Sequence, residues 1–335
     1  MSLTQVRRFE TKIGERIPVI ADKAHLEDQL AGSAADFVLF GISEDIGVRA
    51  NEGKGGADST WIPFLSSFLN IQSNDFFSGD SVLLLGHFDF GDMKYLIEQN
   101  AFDFEEKTNA YRHAVDAIDD EVEQLAKIIT AAGKIPIAIG GGHNNAYPLI
   151  KGAAKGLYRC GKIPKAAIHC INLDAHADFR PEEGRHSGNG FRYAIDDGFL
   201  EKYSIIGVHE NYLPQTVLAD ITARPSLEHS TYEDIFLRRR MTFEEAVDRA
   251  IAFTSDCCTG VELDLDCIEN VLCSAETPSG ISTLHARQYL HHTASASSVA
   301  YLHLCEGASQ LSDGRKSFTT GKLLSYLVSD FIKAG

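Results

Sequence analysis

The 335-residue chain contains no Cys-x-x-Cys pair, and its seven cysteines (Cys160, Cys170, Cys257, Cys258, Cys267, Cys273, Cys305) are odd in number, several of them within apolar runs. Neither a disulfide framework nor a zinc knuckle is expected; reduced thiols in a cytoplasmic protein are. No run approaches the ~20 apolar residues of a membrane span. The first residues, Met1-Ser2-Leu3-Thr4-Gln5, lack the apolar core of a signal peptide. Neither Gly-x-Gly-x-x-Gly nor Gly-Lys-Ser/Thr occurs, which removes the basis for a nucleotide phosphate loop. Positive charge is scarce: 31 Lys and Arg face 47 Asp and Glu, a net charge of −16. Such a surface repels phosphate backbones and anionic lipid heads, so no nucleic acid and no membrane partner is expected. No linker, repeat or low-complexity segment divides the chain. It reads as one domain over residues 1–335, with residues 1–36 as a leading arm.

What is present fits a globular enzyme, with 44% hydrophobic and 23% charged residues. Short apolar runs predict strands at 37–42, 81–86, 135–139, 166–173, 203–208, 258–267 and 299–305. Apolar residues at three- and four-residue steps (Ala114, Ile118, Val122, Leu125, Ile129) predict a helix over 111–133, and 61–69, 243–254 and 321–332 read similarly. A further helix is expected to start at Asn144 or Asn145, with Pro148 in its early part. Residues 43–59 read as a long polar loop, of a length that is often functional. Strands alternating with helices imply an α/β fold, a parallel sheet covered on both faces.

The chain is organised around Asp174-Ala175-His176-Ala177-Asp178, at the end of the apolar run 166–173. In an extended backbone alternate side chains share a face, so the two aspartates and the histidine start roughly 6–7 Å apart. That spacing suits ligands gathering around one metal ion or two close ones. Read alone, the run is also compatible with a strand turning polar as it leaves a sheet. Similar groups lie at other strand ends, where parallel sheets bind ligands. His143 follows the glycine turn 140–142, whose glycines let the backbone turn close to a site. Asp264 and Asp266 end a run whose apolar residues are all odd-numbered. Two histidines and four aspartates suit Mn2+ better than a structural zinc. Six ligands are too many for one catalytic ion, and about right for two ions roughly 3.5–4 Å apart that generate hydroxide at neutral pH. The chemistry expected is hydrolysis at an electrophilic carbon or phosphorus.

Gly-Gly-Gly-His (140–143), Asp-Ala-His-Ala-Asp (174–178) and Asp-Leu-Asp (264–266), in that order, resemble the three signatures of the ureohydrolases: arginase, agmatinase and formiminoglutamase. The resemblance covers about 37–306. It implies a three-layer α/β sandwich with a mostly parallel sheet of about eight strands, and two Mn2+ per chain. His143, Asp174, Asp178 and Asp264 would hold one ion, and Asp174, His176, Asp264 and Asp266 the other. Asp178 would also orient the bridging hydroxide, and Glu306 would pair with a cationic amidinium or guanidinium.

The loop 180–192 contains the Ser-Gly-Asn of this family at Ser187, Gly188 and Asn189. Phe191 stands where arginases carry a histidine thought to shuttle protons; His186 and His209 are its candidate substitutes. Arg180, and the segment Glu44 to Asn51, resemble the formiminoglutamase branch. A substrate with extra carboxylates needs cationic forks, which Arg180, Arg185 and Arg192 would offer, beside Ser187 and Asn189. The implied reaction is N-formimino-L-glutamate plus water to L-glutamate and formamide. A guanidino hydrolase releasing urea and a catalytically silent relative are the alternatives. The expected partner is a small amidine or guanidine, with a homo-oligomer left open.

Overall fold

A computed structural model describes residues 3–20 and 23–335; Met1 and Ser2, part of the expected leading arm and of the signal-peptide reading, lie outside the described residues. Eight strands form one all-parallel sheet: β1 (Phe37–Ser43), β2 (Val82–Asp89), β3 (Ile135–Ile139), β4 (Ile168–Leu173), β5 (Leu200–Val208), β6 (Leu227–Thr231), β7 (Thr259–Asp264) and β8 (Val299–Cys305). Their order across the sheet is β2-β1-β3-β8-β7-β4-β5-β6. Helices cover both faces because alternate residues of each strand point to opposite sides. Leu39, Ile137, Ile139, Ile171, Leu173, Val261 and Leu263 meet the helices Trp61–Phe68, Phe243–Thr254, Thr283–Ala296 and Thr320–Ala334. Val38, Phe40, Ala138, Ile168 and Cys170 meet Phe104–Ala131, Ala146–Arg159 and Gly190–Asp196. Among the described residues, no helix is long and apolar enough to cross a membrane.

The strand order is what builds a site. The chain lays down β3, leaves a gap of two positions, and fills it last with β7 and β8. Four consecutive central strands, β3-β8-β7-β4, therefore bring together residues as far apart in the sequence as Ile139 and Leu304. Register levels their ends: Leu173 lies beside Leu263, and Leu263 beside Leu304, which itself lies beside Ile139. Asp174 and Asp264, one residue further on, leave the sheet at the same height.

Several expected boundaries move for physical reasons. Residues 43–59 are not an open loop; they hold the helix Ile46–Ala50 and a 3-10 turn, Ala57–Ser59. The strand expected over 258–267 stops at Asp264, and Leu265–Cys267 is a 3-10 turn. β6 (Leu-Glu-His-Ser-Thr) was not legible, since an edge strand only partly covered needs no apolar run.

Candidate active site

His143 enters through the turn after β3. Gly140 and Gly141 have φ of +88° and +76°, conformations that favour glycine, and a Cβ on Gly140 would meet the Thr60 hydroxyl oxygen at 2.7 Å. Two buried carboxylates hold this turn. Glu44 accepts from Gly142 N (2.8 Å), Gly47 N (3.0 Å) and Asn145 Nδ2 (2.7 Å). Glu306 Oε1 accepts from His143 N at 2.9 Å. Pro148, third in the helix Ala146–Arg159, lies where a missing N–H costs nothing.

The pairs Asp174–His176 and Asp264–Asp266 leave β4 and β7 by the same device. Asp174 Oδ1 accepts from His176 N (2.6 Å), and Asp264 Oδ1 from Asp266 N (2.8 Å). Each aspartate caps its own turn, and the residue two on is swung back over the strand end. The sequence reading placed these groups on extended backbone; β4 in fact ends at Leu173, and Asp178 has φ +43°. The inward direction of His176, Asp178 and Asp266 comes from the turns rather than from strand alternation, whereas Asp264 is still the last residue of β7.

The result is a convergence of charge. His143 Nδ1 lies 2.8 Å from Asp178 Oδ2 and 3.2 Å from both Asp174 Oδ2 and Asp264 Oδ2. His176 Nδ1 lies 3.0 Å from Asp266 Oδ2 and 3.6 Å from Asp174 Oδ1. Ligand atoms of His143, Asp174, Asp178 and Asp264 all lie within 4.8 Å of one another, as do those of Asp174, His176 and Asp266. The structure thus brings together all six residues, with Asp174 common to both sets. Asp264, assigned to both ions by resemblance, groups only with the His143 set.

Such crowding demands cations. Burial, and then the charges of Asp266 and Asp174, lift Asp264 well above the usual carboxylate range. Burial and Asp174 push Asp178 up to about 6. Burial works against an imidazolium at His143, yet Cys305 and then the three aspartates outweigh it and raise its pKa well above the ordinary value. Among the described residues, neither ring nitrogen of His143, nor Asp266 Oδ1, has a hydrogen-bond partner. Oxygen donors with two imidazoles, gathered around two points, fit divalent cations of the Mn2+ type.

Beside this cluster opens a cavity of about 660 Å3 lined by His176, Asp178, Asp266, Glu306, Arg180 and Ser187, among others. Burial dominates at Glu306 and pushes its carboxyl up to about 8; the backbone bond from His143 only partly offsets this. Arg180 donates to Asn51 Oδ1 (2.8 Å) and Glu183 Oε1 (2.6 Å) at the cavity wall.

The other expected substrate residues lie elsewhere. Arg185 is buried: Nε donates to Asp119 Oδ2 (2.8 Å), Nη1 to Asn189 Oδ1 (3.0 Å) and Nη2 to Asn144 O (2.9 Å), between the rings of Tyr147 and Tyr193. Asn189 spends its amide on Arg185, His186 N and Gly184 O, folding the loop. Arg192 pairs with Asp196 and with Asp220. None of the three lines the cavity. They are corrected to local anchors: the buried Asp119 claims Arg185, Asp196 and Asp220 claim Arg192, and Arg185 with the loop backbone claims Asn189.

Phe191 packs edge-on to His143 at 5.1 Å and stacks on Tyr203 at 4.2 Å. Of its candidate substitutes, His186 is enclosed by its own loop and His209 is stacked between Tyr212 and Tyr232; neither lines the cavity. Two neighbours of the site escaped sequence reasoning. Tyr212 lines the cavity and stacks on His176 at 5.1 Å. Glu262 lies behind His143; its only signal was an acid at an even position of β7.

The fold and cluster define a class. The Arginase family model matches residues 36–329, and the chain belongs to the arginase family. Within it, the formimidoylglutamase of Streptococcus pyogenes serotype M6 is 23% identical over 237 residues, covering 69% of this chain and 64% of that protein, so the chain spans under two thirds of that relative. Trypanosoma cruzi formiminoglutamase, solved with Mn2+, shares the fold at a TM-score of 0.72 and 17% identity, covering 97% of this chain and 98% of that one. Formimidoylglutamase from Bacillus subtilis does so at 0.70 and 17%, covering 99% and 94%.

Proposed function

We propose that this chain, acting as one domain, is a binuclear Mn2+ hydrolase that converts N-formimino-L-glutamate and water to L-glutamate and formamide. The observation that supports this most is the meeting of an imidazole with three carboxylates, beside a second imidazole–carboxylate set, at the wall of one cavity. His143, Asp174, Asp178 and Asp264 would hold one ion, and Asp174, His176, Asp264 and Asp266 the other. When bound, the ions supply Lewis acidity that makes water nucleophilic near neutral pH.

The remaining work falls to the chain. Asp178, between His143 and the cavity, orients the attacking water. A C–O bond forms at the amidine carbon, and the C–N bond to glutamate breaks as the amine departs with a proton. Glu306 meets the cationic amidinium: one oxygen is tied to His143 N and the other is free, and a buried carboxyl so reluctant to ionise is stabilised by a cation brought to it. Arg180 and Ser187 hold a substrate carboxylate further along the cavity.

Release of formamide, urea and ammonia over a panel of formiminoglutamate, arginine, agmatine and guanidino acids tests this. Formiminoglutamate should turn over fastest, with formamide as product. Faster urea release from a guanidino compound would replace the substrate assignment, and no turnover with Mn2+ bound would favour a silent relative.

A further inference from the structure

On the far side of His143 from the three aspartates lies a polar group that the proposed reaction does not use. Glu262, on β7, is fully buried, and no lysine or arginine pairs with it among the described residues. A carboxylate there survives only through donors aimed at it. The Tyr301 hydroxyl donates to its Oε1 at 2.7 Å, and His303 Nδ1 lies 2.7 Å from its Oε2. Both come from β8, whose register sets His303 beside Glu262 and Tyr301 beside Gly260. The glycine is needed: a Cβ there would meet the Tyr301 ring at 2.5 Å. Without one, the phenol lies across the neighbouring strand and reaches Glu262. His303 is fixed in turn by Gly140 O, 3.3 Å from its Nε2, in the turn that carries His143.

The two nitrogens of His143 therefore face different surroundings. Nδ1 faces the carboxylates of Asp174, Asp178 and Asp264. Nε2 has no hydrogen bond among the described residues, and Glu262 Oε2 stands 3.5 Å away. We infer that Glu262, braced by Tyr301 and His303, is a positioning residue that fixes His143 in the tautomer whose Nδ1 lone pair is free for a cation. The inference rests on the reading of His143 as a metal ligand. A ligating imidazole binds through one nitrogen and keeps its proton on the other, and the acceptor of that proton sets ring orientation and basicity. Glu262 is the carboxylate within reach of Nε2; the Cys305 thiol, also beside the ring, is a far weaker acceptor. Tyr301 and His303 keep it from turning away.

The test is Mn2+ affinity of the full chain by equilibrium dialysis, with the melting temperature of the metal-free protein measured in parallel. Glu262→Gln keeps the shape and the oxygen that Tyr301 bonds, but weakens the acceptor for Nε2–H. It should lower Mn2+ affinity ~10–100-fold while the metal-free melting temperature moves little. Tyr301→Phe keeps the carboxylate but loosens it, and should give a smaller loss, ~3–10-fold; it carries the test if Glu262→Gln fails to fold. Affinities within twofold of the wild type in the folded variants overturn the inference. His143→Ala separates the two levels: if it also binds Mn2+ normally, the reading of His143 as a ligand has failed, whereas lost binding there with unchanged binding in Glu262→Gln refutes the positioning role alone.

Discussion

Replacing Arg185 by methionine sets an anchoring role against a substrate-binding one. The guanidinium makes a two-pronged contact with Asp119, at 2.8 and 3.2 Å, and holds Asn189 and the Asn144 carbonyl, so it ties the loop 180–192 to the helix Phe104–Ala131 and to the start of Ala146–Arg159. Burial, outweighing the charge of Arg185, already pushes Asp119 up to about 6. Without Arg185 that carboxyl is left buried and unpaired, a loss of about 3–5 kcal/mol for a broken interior pair. Unfolding entropy near 2.1 cal/mol/K per residue gives about 0.7 kcal/mol/K for a chain of this length, hence a melting temperature lower by ~4–7 °C. Scanning calorimetry measures this. The double variant Arg185→Met/Asp119→Leu should recover most of the loss, since no charge is then stranded. A melting temperature within ~1 °C of wild type together with a tenfold rise in KM would refute the reasoning and return Arg185 to the substrate.

Other outcomes follow from the same geometry. His186 accepts from Gly188 N at Nδ1, and burial, reinforced by Arg180, holds its pKa down to about 4. A depressed folded-state value means the stabilisation is complete above the unfolded value near 6.5 and is lost as pH falls towards 4. Urea unfolding should show wild type losing about 2 kcal/mol more than His186→Asn between pH 8 and pH 5; parallel losses would contradict it. Asp266→Ala removes the acid facing His176 and should leave one Mn2+ per chain by elemental analysis, with most activity gone; two retained ions would exclude Asp266 as a ligand. Arg180→Ala should raise KM for a dicarboxylate about tenfold, and for a cationic amine substrate far less; equal effects would remove its anchoring role.

Comparison of sequence with structure divides along a physical line. β3 and β8 were legible because central parallel strands are buried on both faces and read as apolar runs, Ile135–Ile139 and Val299–Cys305. The metal-type cluster was legible because three short motifs of acids and histidines sit directly after such runs. How those residues turn inward was not: the capped turns at Asp174 and Asp264 depend on side-chain-to-backbone bonds that period-two alternation does not encode. Nor was the fate of Arg185, since Asp119 lies on another element and is its neighbour only once the helices pack; for Arg192 the same holds of Asp220, while Asp196 is one turn along its own helix. Glu262 looked like one more even-numbered acid of β7. Only the strand order, which sets Tyr301 and His303 beside it, separates it from Asp264.

The central claim is that two cations occupy the convergence of six side chains at the ends of β3, β4 and β7. Anomalous diffraction at the manganese absorption edge, on crystals grown with Mn2+, tests it most directly. The account predicts two peaks about 3.5–4 Å apart, one among His143, Asp174, Asp178 and Asp264 and the other against His176 and Asp266. A single peak, no peak at saturating Mn2+, or a peak among His143, Glu262, His303 and Cys305 would contradict it.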